Sequence, residues 1–258
     1  MAASPSYEQR DQPPGVPPLA LTGERTLPDV PAENYWFRRH LAVYEWIARR
    51  VAGERVLDMA CGEGYGADLL AGVAAEVVGI DANPEAHEHA RLRYRRANLR
   101  FERDLIETFS ERADSVVFLQ TVEHVGDAGA VLGHFGSLVG GEGRVFVSTP
   151  NVLTLAPEGA ERSDNPWHVH EYRPEEFAEL CQGVFSSVEL YGLYHARKLR
   201  LHELALRAGW DSAHRALGLT DAFYERFTPA ICTADFKLIG AARADLDRAL
   251  DLLAVCRP

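Results

Sequence analysis

The sequence predicts an α/β protein built on a mostly parallel β-sheet with helices on both faces. Short apolar segments alternate with segments of helical spacing, which is the order that parallel β–α–β units require. Two apolar segments, VVGI at 77–80 and VVFL at 116–119, contain no charged residue, as is typical of strands covered on both faces. A glycine-rich turn directly after the first strand is the third indication, because such turns join strand to helix at nucleotide sites.

This pattern predicts seven strands and six principal helices. The strands are 55–59, 76–80, 99–102, 115–119, 144–148, 187–190 and 235–241. The helices are 33–50, 67–73, 85–96, 128–139, 174–182 and 199–217. Because a helical insertion separates the last two strands, we expect them to form an antiparallel pair at the edge of the sheet, with the insertion over the active face as a lid.

The chain divides into a main domain with shorter segments at each end. Residues 1–32 contain seven of the fourteen prolines and are expected to be a flexible extension, which could also contact a second subunit in a homo-oligomer. The main domain is 33–241, with acceptor-side insertions at 151–173 and 192–232. Residues 242–258 are expected to be a C-terminal tail or helix.

Composition excludes several classes of function. The net charge is −11, so nucleic acid is not expected as a partner. No apolar run approaches the roughly 18 residues that a membrane span needs. The first residues lack the features of a signal peptide, so we expect a cytoplasmic protein. The four cysteines have no CxxC spacing and suggest neither a zinc site nor a disulfide framework.

The central motif is VLDMACGEGYGADLL at residues 56–70. Its glycines, Gly62, Gly64 and Gly66, permit a tight turn and close approach of a ligand to the start of a helix. Asp81 ends the next strand, nineteen residues beyond Gly62, where an acid can accept hydrogen bonds from both ribose hydroxyls. This spacing fits a dinucleotide or S-adenosylmethionine (SAM), and a plain tight turn is the alternative without function.

Two further acids favour SAM over a dinucleotide. The turn reads D-x-x-C-G-x-G-x-G, not G-x-G-x-x-G, and its first residue, Asp58, could face the cationic ammonium group of the methionine part. Asp104 follows the third strand, where it could accept from an adenine amino group while the N–H of Leu105 donates to the ring. The arrangement resembles the class I SAM-dependent methyltransferases over roughly 33–241, and the resemblance implies a Rossmann-like, seven-stranded sheet.

A hydroxyl acceptor would need a general base, a divalent cation or both. The fourth strand ends in Gln120-Thr-Val-Glu123-His124, and the long polar segment contains His168, His170 and Glu171. We expect catalytic roles for the three histidines and Glu171. An alternative is that Glu123 and His124 cap a loop while the later histidines form a satisfied polar cluster.

The Q-x-x-E-H stretch resembles the E-x-x-E-H metal motif of ubiquinone-pathway O-methyltransferases and of small-RNA 2′-O-methyltransferases. The resemblance implies a divalent cation, Mg²⁺ in the first instance, bound by Glu123, His124, His168 and Gln120. This chain has Gln120 where the motif has glutamate, which gives a neutral ligand in place of a charged one.

Four other stretches look like sugar O-methyltransferases of actinobacteria, including those acting on TDP-rhamnose in calicheamicin biosynthesis and on mycobacterial methylglucose lipopolysaccharide. They are TGERTLPD at 22–29, ENYWFRRH at 33–40, STPN at 148–151 and TADF at 233–236. The resemblance implies that Arg38, His40 and Trp36 close over the methionine end of SAM, although Trp36 could equally pack against the sheet. The expected cofactor contacts are Arg38, His40, Asp58, Ala60, Gly62, Gly64, Tyr65, Gly66, Asp81, Ala82, Asp104, Leu105 and Gln120.

The resulting hypothesis is O-methylation of a hexose hydroxyl, with a nucleotide-activated deoxysugar of natural-product biosynthesis as the favoured acceptor. A glucan or lipopolysaccharide polymer is the alternative within the same chemistry. Two other classes stay open. One is a metal-independent methyltransferase acting on a phenol or an amine, and the other is a non-catalytic subunit that keeps only the fold.

Overall fold

Eight strands form one sheet in the order β3-β2-β1-β4-β5-β8-β6-β7 in the computed structural model. The strands are β1 Arg55–Met59, β2 Glu76–Ile80, β3 Leu99–Glu102, β4 Ala113–Leu119, β5 Val139–Pro150, β6 Ser187–His195, β7 Phe236–Gly240 and β8 Asp251–Arg257. Strands β1 to β5 are parallel, whereas the β5–β8, β8–β6 and β6–β7 pairs are antiparallel. The prediction of a Rossmann-like, mostly parallel sheet with an antiparallel edge is therefore confirmed.

The structure describes residues 9, 12–21, 25–157 and 159–258. Parts of the predicted N-terminal extension (1–8, 10, 11 and 22–24) and residue 158 of the predicted insertion lie outside the described residues. The helices are α1 Asn34–Ala48, α2 Tyr65–Ala71, α3 Pro84–Arg93, α4 Ala128–Leu138, α5 Val152–Leu155, α6 Pro174–Gln182, α7 Arg197–Arg207, α8 Trp210–Ala216 and α9 Thr220–Phe227. None of these described helices combines the length and the apolar character needed to cross a bilayer.

Helices cover both faces of the sheet because successive strand residues point to opposite sides. On one face, Ile47 of α1 and Leu70 of α2 pack with Val56 of β1. On the other face, Phe135 of α4 and Phe177 of α6 pack with the neighbouring strand residue Leu57. The loops that follow β1, β2 and β4 consequently leave the sheet at a single edge, where ligands bind in open α/β folds.

The C-terminal segment differs from the prediction of a tail or helix. Residues Asp251–Arg257 form β8, an eighth strand between β5 and β6, so the sheet has one more strand than predicted. Within it, residues 252–256 are continuously apolar and buried, and periodicity alone does not distinguish such a strand from a buried helix. The insertion also differs, because Gly209 has a φ of 89° and separates α7 from α8 where one helix was predicted.

The described part of the N-terminal extension is packed against the domain. Leu19, Leu27 and Val30 are each no more than 5% exposed and form a small apolar cluster of their own. The many prolines of this segment do prevent helix and strand, but extended backbone can still bury side chains. Residues 12–21 and 25–30 therefore contribute buried side chains and contacts with the domain, and the flexibility of the extension stays a prediction.

Candidate active site

A cavity of about 760 Å³ opens at the sheet edge where β1 and β4 end. Of the residues predicted to form the site, eight line it: His40, Ala60, Gly62, Tyr65, Gln120, Glu123, His124 and His168. The others lie outside this lining: Arg38, Asp58, Gly64, Gly66, Asp81, Ala82, Asp104, Leu105, His170 and Glu171. The cavity thus joins the glycine-rich turn and the Glu123–His124 stretch, which are about sixty residues apart in the sequence.

The three glycines of the turn have different physical roles. Gly62 has a φ of 57°, lines the cavity and would have no atom within 4 Å of an added Cβ, so a ligand can approach its backbone. Gly64 has a φ of 96° and an added Cβ would lie 2.8 Å from the Cβ of Ala90. Gly66 lies within α2, and an added Cβ there would lie 2.1 Å from the ring of Tyr44. Only Gly62 therefore leaves open room for a ligand, while the other two permit close packing.

Asp81 braces the turn from the end of β2. Its Oδ2 accepts a hydrogen bond from the N–H of Gly62 at 2.8 Å, and its Oδ1 accepts from the N–H of Asn83 at 2.8 Å. Asp81 and Gly62, which the sequence analysis paired by their spacing along the chain, are thus in direct contact. A ribose would have to compete for a carboxylate that already holds the turn.

Asp58 is fully buried at the end of β1 beneath the turn. Its Oδ1 accepts from the hydroxyl of Tyr44 at 3.0 Å, while Oδ2 is buried without a partner among the described residues. Burial raises the pKa of this carboxyl to about 7, against the lowering effect of the Tyr44 hydrogen bond and with a smaller contribution from the charge of Asp81. An unpartnered buried carboxylate oxygen is suited to a cationic group such as the ammonium of SAM, so these residues fit the cofactor.

The predicted adenine contacts lie on the open side of the loop after β3. Asp104 accepts from the N–H of Leu105 at 2.7 Å, so the two residues bond to each other. Both are exposed, as is Ala82, and Leu105 is 56% exposed. Their placement would leave an adenine partly open to solvent.

Helix α1 presents a different arginine to the cavity from the one predicted. Arg38 donates to Asn34 Oδ1 at 3.1 Å and lies outside the lining, whereas Arg39 lines the cavity and is paired with Asp251 at the start of β8. Trp36 also lines the cavity and is 43% exposed. Sequence reasoning missed Arg39 and Asp251, since no local motif connects residues that are 212 positions apart.

His40 is held in the cavity wall by Tyr65. The Tyr65 hydroxyl lies 2.6 Å from His40 Nδ1 and 2.7 Å from the hydroxyl of Thr26. Burial lowers the pKa of His40 to about 4, so the imidazole is neutral at physiological pH. Its Nε2 is buried and lacks a partner among the described residues, which leaves a polar atom for a bound ligand.

Glu123, His124 and His168 converge on one point of the cavity. One ligand atom from each can be chosen so that all three lie within 4.8 Å of one another. His124 Nδ1 is 3.0 Å from the carbonyl of Trp167, which can only accept, so Nδ1 carries the proton and Nε2 has a lone pair. Two imidazoles and a carboxylate are an appropriate donor set for a divalent transition metal and an acceptable partial set for Mg²⁺.

Glu123 is buried, and its environment favours the protonated form. Burial raises its pKa to about 8, and the charges of Asp251 and Glu171 add to the rise, while hydrogen bonds from its own backbone and from Thr149 oppose it. The Thr149 hydroxyl donates to Oε2 at 3.1 Å. A nearby cation would offset this cost, because an opposite charge favours the ionised carboxylate.

His168 is oriented by Glu171 from behind. Its Nδ1 donates to Glu171 Oε1 at 2.5 Å, so the lone pair is on Nε2, where the Asn165 amide donates at 3.0 Å. Burial raises the pKa of Glu171, but hydrogen bonds from Ser163 and His168 outweigh it and hold the pKa below its usual value. The hydrogen bond from Nδ1 to Glu171 fixes the orientation and tautomer of the ring, which fits a ligand or a general base, provided that Asn165 releases Nε2.

His170 is separated from this cluster, although it is only two residues from His168. It is exposed, and its ring packs against Tyr172 with centroids 4.5 Å apart. Its backbone N–H donates to the carbonyl of Glu123 at 3.1 Å, which ties the segment to the end of β4. The structure therefore gives His170 a structural contact where a catalytic role was also expected.

Two non-glycine residues of the lining have left-handed backbone. Ala60 has a φ of 58° and Gln120 a φ of 51°, each directly at the end of a central strand. Such conformations cost of order 1 kcal/mol each and cluster at functional sites. Gln120 Nε2 donates to Ser148 Oγ at 3.2 Å, which leaves its carbonyl oxygen as the atom that could reach a cation or a cofactor.

Comparison with known proteins identifies the family of the chain. The model of the methyltransferase domain family matches residues 33–204. A probable S-adenosylmethionine-dependent methyltransferase of Mycobacterium tuberculosis (strain H37Rv) is 36% identical, and the match covers 97% of this chain and 96% of that protein. A ubiquinone biosynthesis O-methyltransferase of Albidiferax ferrireducens is 36% identical over 63% of this chain and 70% of its own length.

Solved structures agree on the fold. A crystal structure of an S-adenosylmethionine-dependent methyltransferase from Mesorhizobium loti has a TM-score of 0.54 and 17% identity, covering 83% of this chain and 98% of that chain. At this identity the likeness concerns the fold alone, and the family assignment rests on the sequence matches. By its domain and its relatives, the chain belongs to the methyltransferase domain family and is an SAM-dependent methyltransferase.

Proposed function

We propose that this methyltransferase transfers the methyl group to a hydroxyl oxygen of a hexose, with a divalent cation, Mg²⁺ in the first instance, at Glu123, His124 and His168. The observation that carries the proposal is the convergence of these side chains in the cavity that also contains Gly62 of the cofactor turn. A sugar hydroxyl is too weak an acid to ionise at neutral pH, so its methylation needs a base or a Lewis acid at this position.

Methyl transfer replaces a carbon–sulfur bond with a carbon–oxygen bond. The acceptor oxygen bonds to the methyl carbon of SAM, the carbon–sulfur bond breaks, its electron pair stays on sulfur, and the hydroxyl proton passes to a base. A bound cation would supply Lewis acidity, which lowers the pKa of a hydroxyl that it polarises. Among the chain's own groups, His168 is the best placed base, since Glu171 fixes its tautomer and orientation.

Other side chains and backbone groups at the cavity would bind SAM and the sugar acceptor and orient them for the transfer. Asp58 and the backbone at Gly62 are suited to the methionine part of SAM. Arg39 and the unpartnered Nε2 of His40 add polar groups at the same cavity. Trp36 adds an exposed aromatic face at the cavity, which suits the C–H face of a sugar ring.

For the acceptor we favour a nucleotide-activated deoxysugar of the TDP-rhamnose type, methylated in the cytoplasm during natural-product biosynthesis. The similarity to a ubiquinone biosynthesis O-methyltransferase supports oxygen as the methylated atom, because that relative is named for O-methylation. It gives no support for a sugar, which rests on the sequence motifs at 33–40, 148–151 and 233–236.

The test is incubation of the protein with isotopically labelled SAM and a matched panel of acceptors. The panel contains TDP-deoxysugars, the same sugars without the nucleotide, neutral glucan oligomers, and a catechol. Label in the TDP-sugar supports the proposal, and label in the glucan alone moves the acceptor to a polymer. Label in the catechol alone, undiminished by exhaustive chelation, overturns it.

A further inference from the structure

The N-terminal strap, defined as residues 12–21, forms part of the cavity wall. Its last residue, Leu21, lines the cavity, and so do Arg25 and Thr26 a few residues later. Leu19 is 5% exposed and anchors the strap in the apolar cluster with Leu27 and Val30. The end of the strap therefore lies at the same cavity as the cofactor turn.

Within the cofactor turn, Glu63 lines the cavity and has several hydrogen-bond donors around its carboxylate. Its side chain is fully buried, which is costly for a carboxylate unless every oxygen is paired. Tyr94 donates its hydroxyl to Oε2 at 2.7 Å, and Arg93 Nε lies 3.3 Å from Oε1. Gln9, from the segment before the strap, donates to the same Oε1 at 3.2 Å.

His89 of α3 connects the strap to the turn. Its ring is fully buried, with Nε2 2.9 Å from Glu63 Oε1 and Nδ1 2.7 Å from the carbonyl oxygen of Pro17. A carbonyl oxygen only accepts, so Nδ1 donates to the strap. One imidazole thus joins the backbone of the strap to the carboxylate of the turn.

A second connection lies about ten residues further along the chain. The hydroxyl of Thr26 is 2.7 Å from that of Tyr65, and Tyr65 is in turn 2.6 Å from His40 Nδ1 in the cavity wall. The strap region is therefore fastened on both sides of the turn, once through His89 and once through Tyr65.

We propose that Glu63 and His89 are positioning residues that couple closure of the N-terminal strap over the cavity to the conformation of the cofactor turn. With the strap docked, His89 holds Glu63, and Glu63 holds the turn in the form that exposes the backbone of Gly62 to the cavity. Bound SAM and the docked strap then stabilise each other, since each favours the same conformation of the turn. The inference rests on the cavity being the cofactor site, and it is independent of the acceptor.

A purely structural role would give a different result. If the cluster served only to fill the space between α3 and the turn, its loss would lower stability but leave cofactor affinity in the folded protein unchanged. Coupling instead predicts a change in the KM for SAM with little change in kcat at saturating SAM, because neither Glu63 nor His89 belongs to the cluster proposed to bind the cation and take the proton.

The test uses full-length His89→Ala, Glu63→Gln and Leu19→Ser, the last of which loosens the strap without touching the turn. We expect roughly tenfold or greater increases in the Kd for S-adenosylhomocysteine and in the KM for SAM, with kcat within about twofold. Leu201→Ser is the matched control, because Leu201 is 69% exposed on α7 and away from the cavity lining. Unchanged Kd in folded Glu63→Gln and Leu19→Ser would overturn the inference.

Hydrogen exchange of the unmodified protein gives a test that does not depend on any variant. Amides of residues 12–21 should exchange more slowly when S-adenosylhomocysteine is added, and equal rates with and without it would overturn the coupling. The acceptor panel is scored separately, so failure to methylate a sugar contradicts the proposed function alone. Absence of S-adenosylhomocysteine binding by the unmodified protein would overturn the inference together with the cofactor site.

Discussion

Arg39 on α1 and Asp251 at the start of β8 form a buried, bidentate ion pair at the wall of the cavity. Arg39 Nε donates to Asp251 Oδ2 at 2.8 Å and Nη2 donates to Oδ1 at 2.5 Å, while Nη2 also donates to the carbonyl of Leu250 at 2.6 Å. The pair joins the first helix of the domain to its last strand. Both residues also line the cavity.

The first prediction concerns this pair. Asp251→Ala leaves the guanidinium of Arg39 buried without its partner, so we expect a loss of about 3–5 kcal/mol in the free energy of unfolding. Thermal or urea unfolding measures it. Arg215→Ala removes an exposed ion pair with Asp211 on α8 and should cost less than about 1 kcal/mol. Similar losses of unfolding free energy in both variants would contradict the prediction that the buried pair stabilises the fold more than the exposed pair does.

The second prediction concerns Asp58 and the pH dependence of stability. Its pKa of about 7 lies well above the ordinary 3.8, so folding favours the protonated carboxyl. The stability that this preference contributes is present below about pH 4 and is lost as the pH rises to about 7. Asp58→Asn should therefore stabilise the cofactor-free protein more at pH 8 than at pH 4. The difference between the two effects on the free energy of unfolding should be on the order of 2–4 kcal/mol. An equal effect at both pH values would refute this account.

The same carboxyl gives a third prediction, for cofactor binding. A cationic ammonium favours the ionised form, so the affinity for SAM should fall as the pH decreases below about 7, and binding at pH 6 should release a proton. Calorimetry in two buffers of different ionisation enthalpy measures that release. Asp58→Asn should bind more weakly and lose this proton release, and an unaltered release in the variant would assign the titration to another group.

The fourth prediction separates the histidines. His168→Ala should reduce kcat by roughly 10²-fold or more, and Glu171→Gln by roughly 10- to 100-fold, because one removes the base or ligand and the other its orientation. Binding of S-adenosylhomocysteine should be retained in both. His170→Ala is the control, since that side chain is exposed and outside the cavity, and it should keep kcat within about threefold of the unmodified enzyme. Equal losses of kcat in His168→Ala and His170→Ala would show that the cluster of Glu123, His124 and His168 has no special role in the reaction.

Metal dependence is the fifth prediction. Activity should fall on exhaustive chelation and return with Mg²⁺ or Mn²⁺, and Glu123→Gln should raise the cation concentration needed for half-maximal activity by 10-fold or more, since it removes the only carboxylate of the donor set. Initial rates in a metal titration measure both effects. Full activity after chelation, in a protein shown to be metal-free, would leave proton transfer by a histidine as the remaining role of the cluster.

Local sequence order determined the fold class and the cofactor turn. The alternation of strands and helices, the glycines after β1 and the spacing to Asp81 are short-range features, and the contact between Asp81 and Gly62 follows once two adjacent parallel strands end at the same edge. For the same reason Glu123 and His124 could be placed beside that turn from the end of β4 alone.

Tertiary structure alone decided the rest of the site. Sequence reasoning suggested Arg38, His168 and His170. The direction in which a helix or loop presents each side chain placed Arg39 rather than Arg38 at the cavity, and placed His168 there without His170. The partners Asp251 for Arg39 and His89 for Glu63 come from strands and helices distant in the chain, and no periodicity encodes such pairs. Residues 251–257 entered the sheet as an inner strand because their apolar side chains are buried there on both faces, which only the assembled sheet can offer.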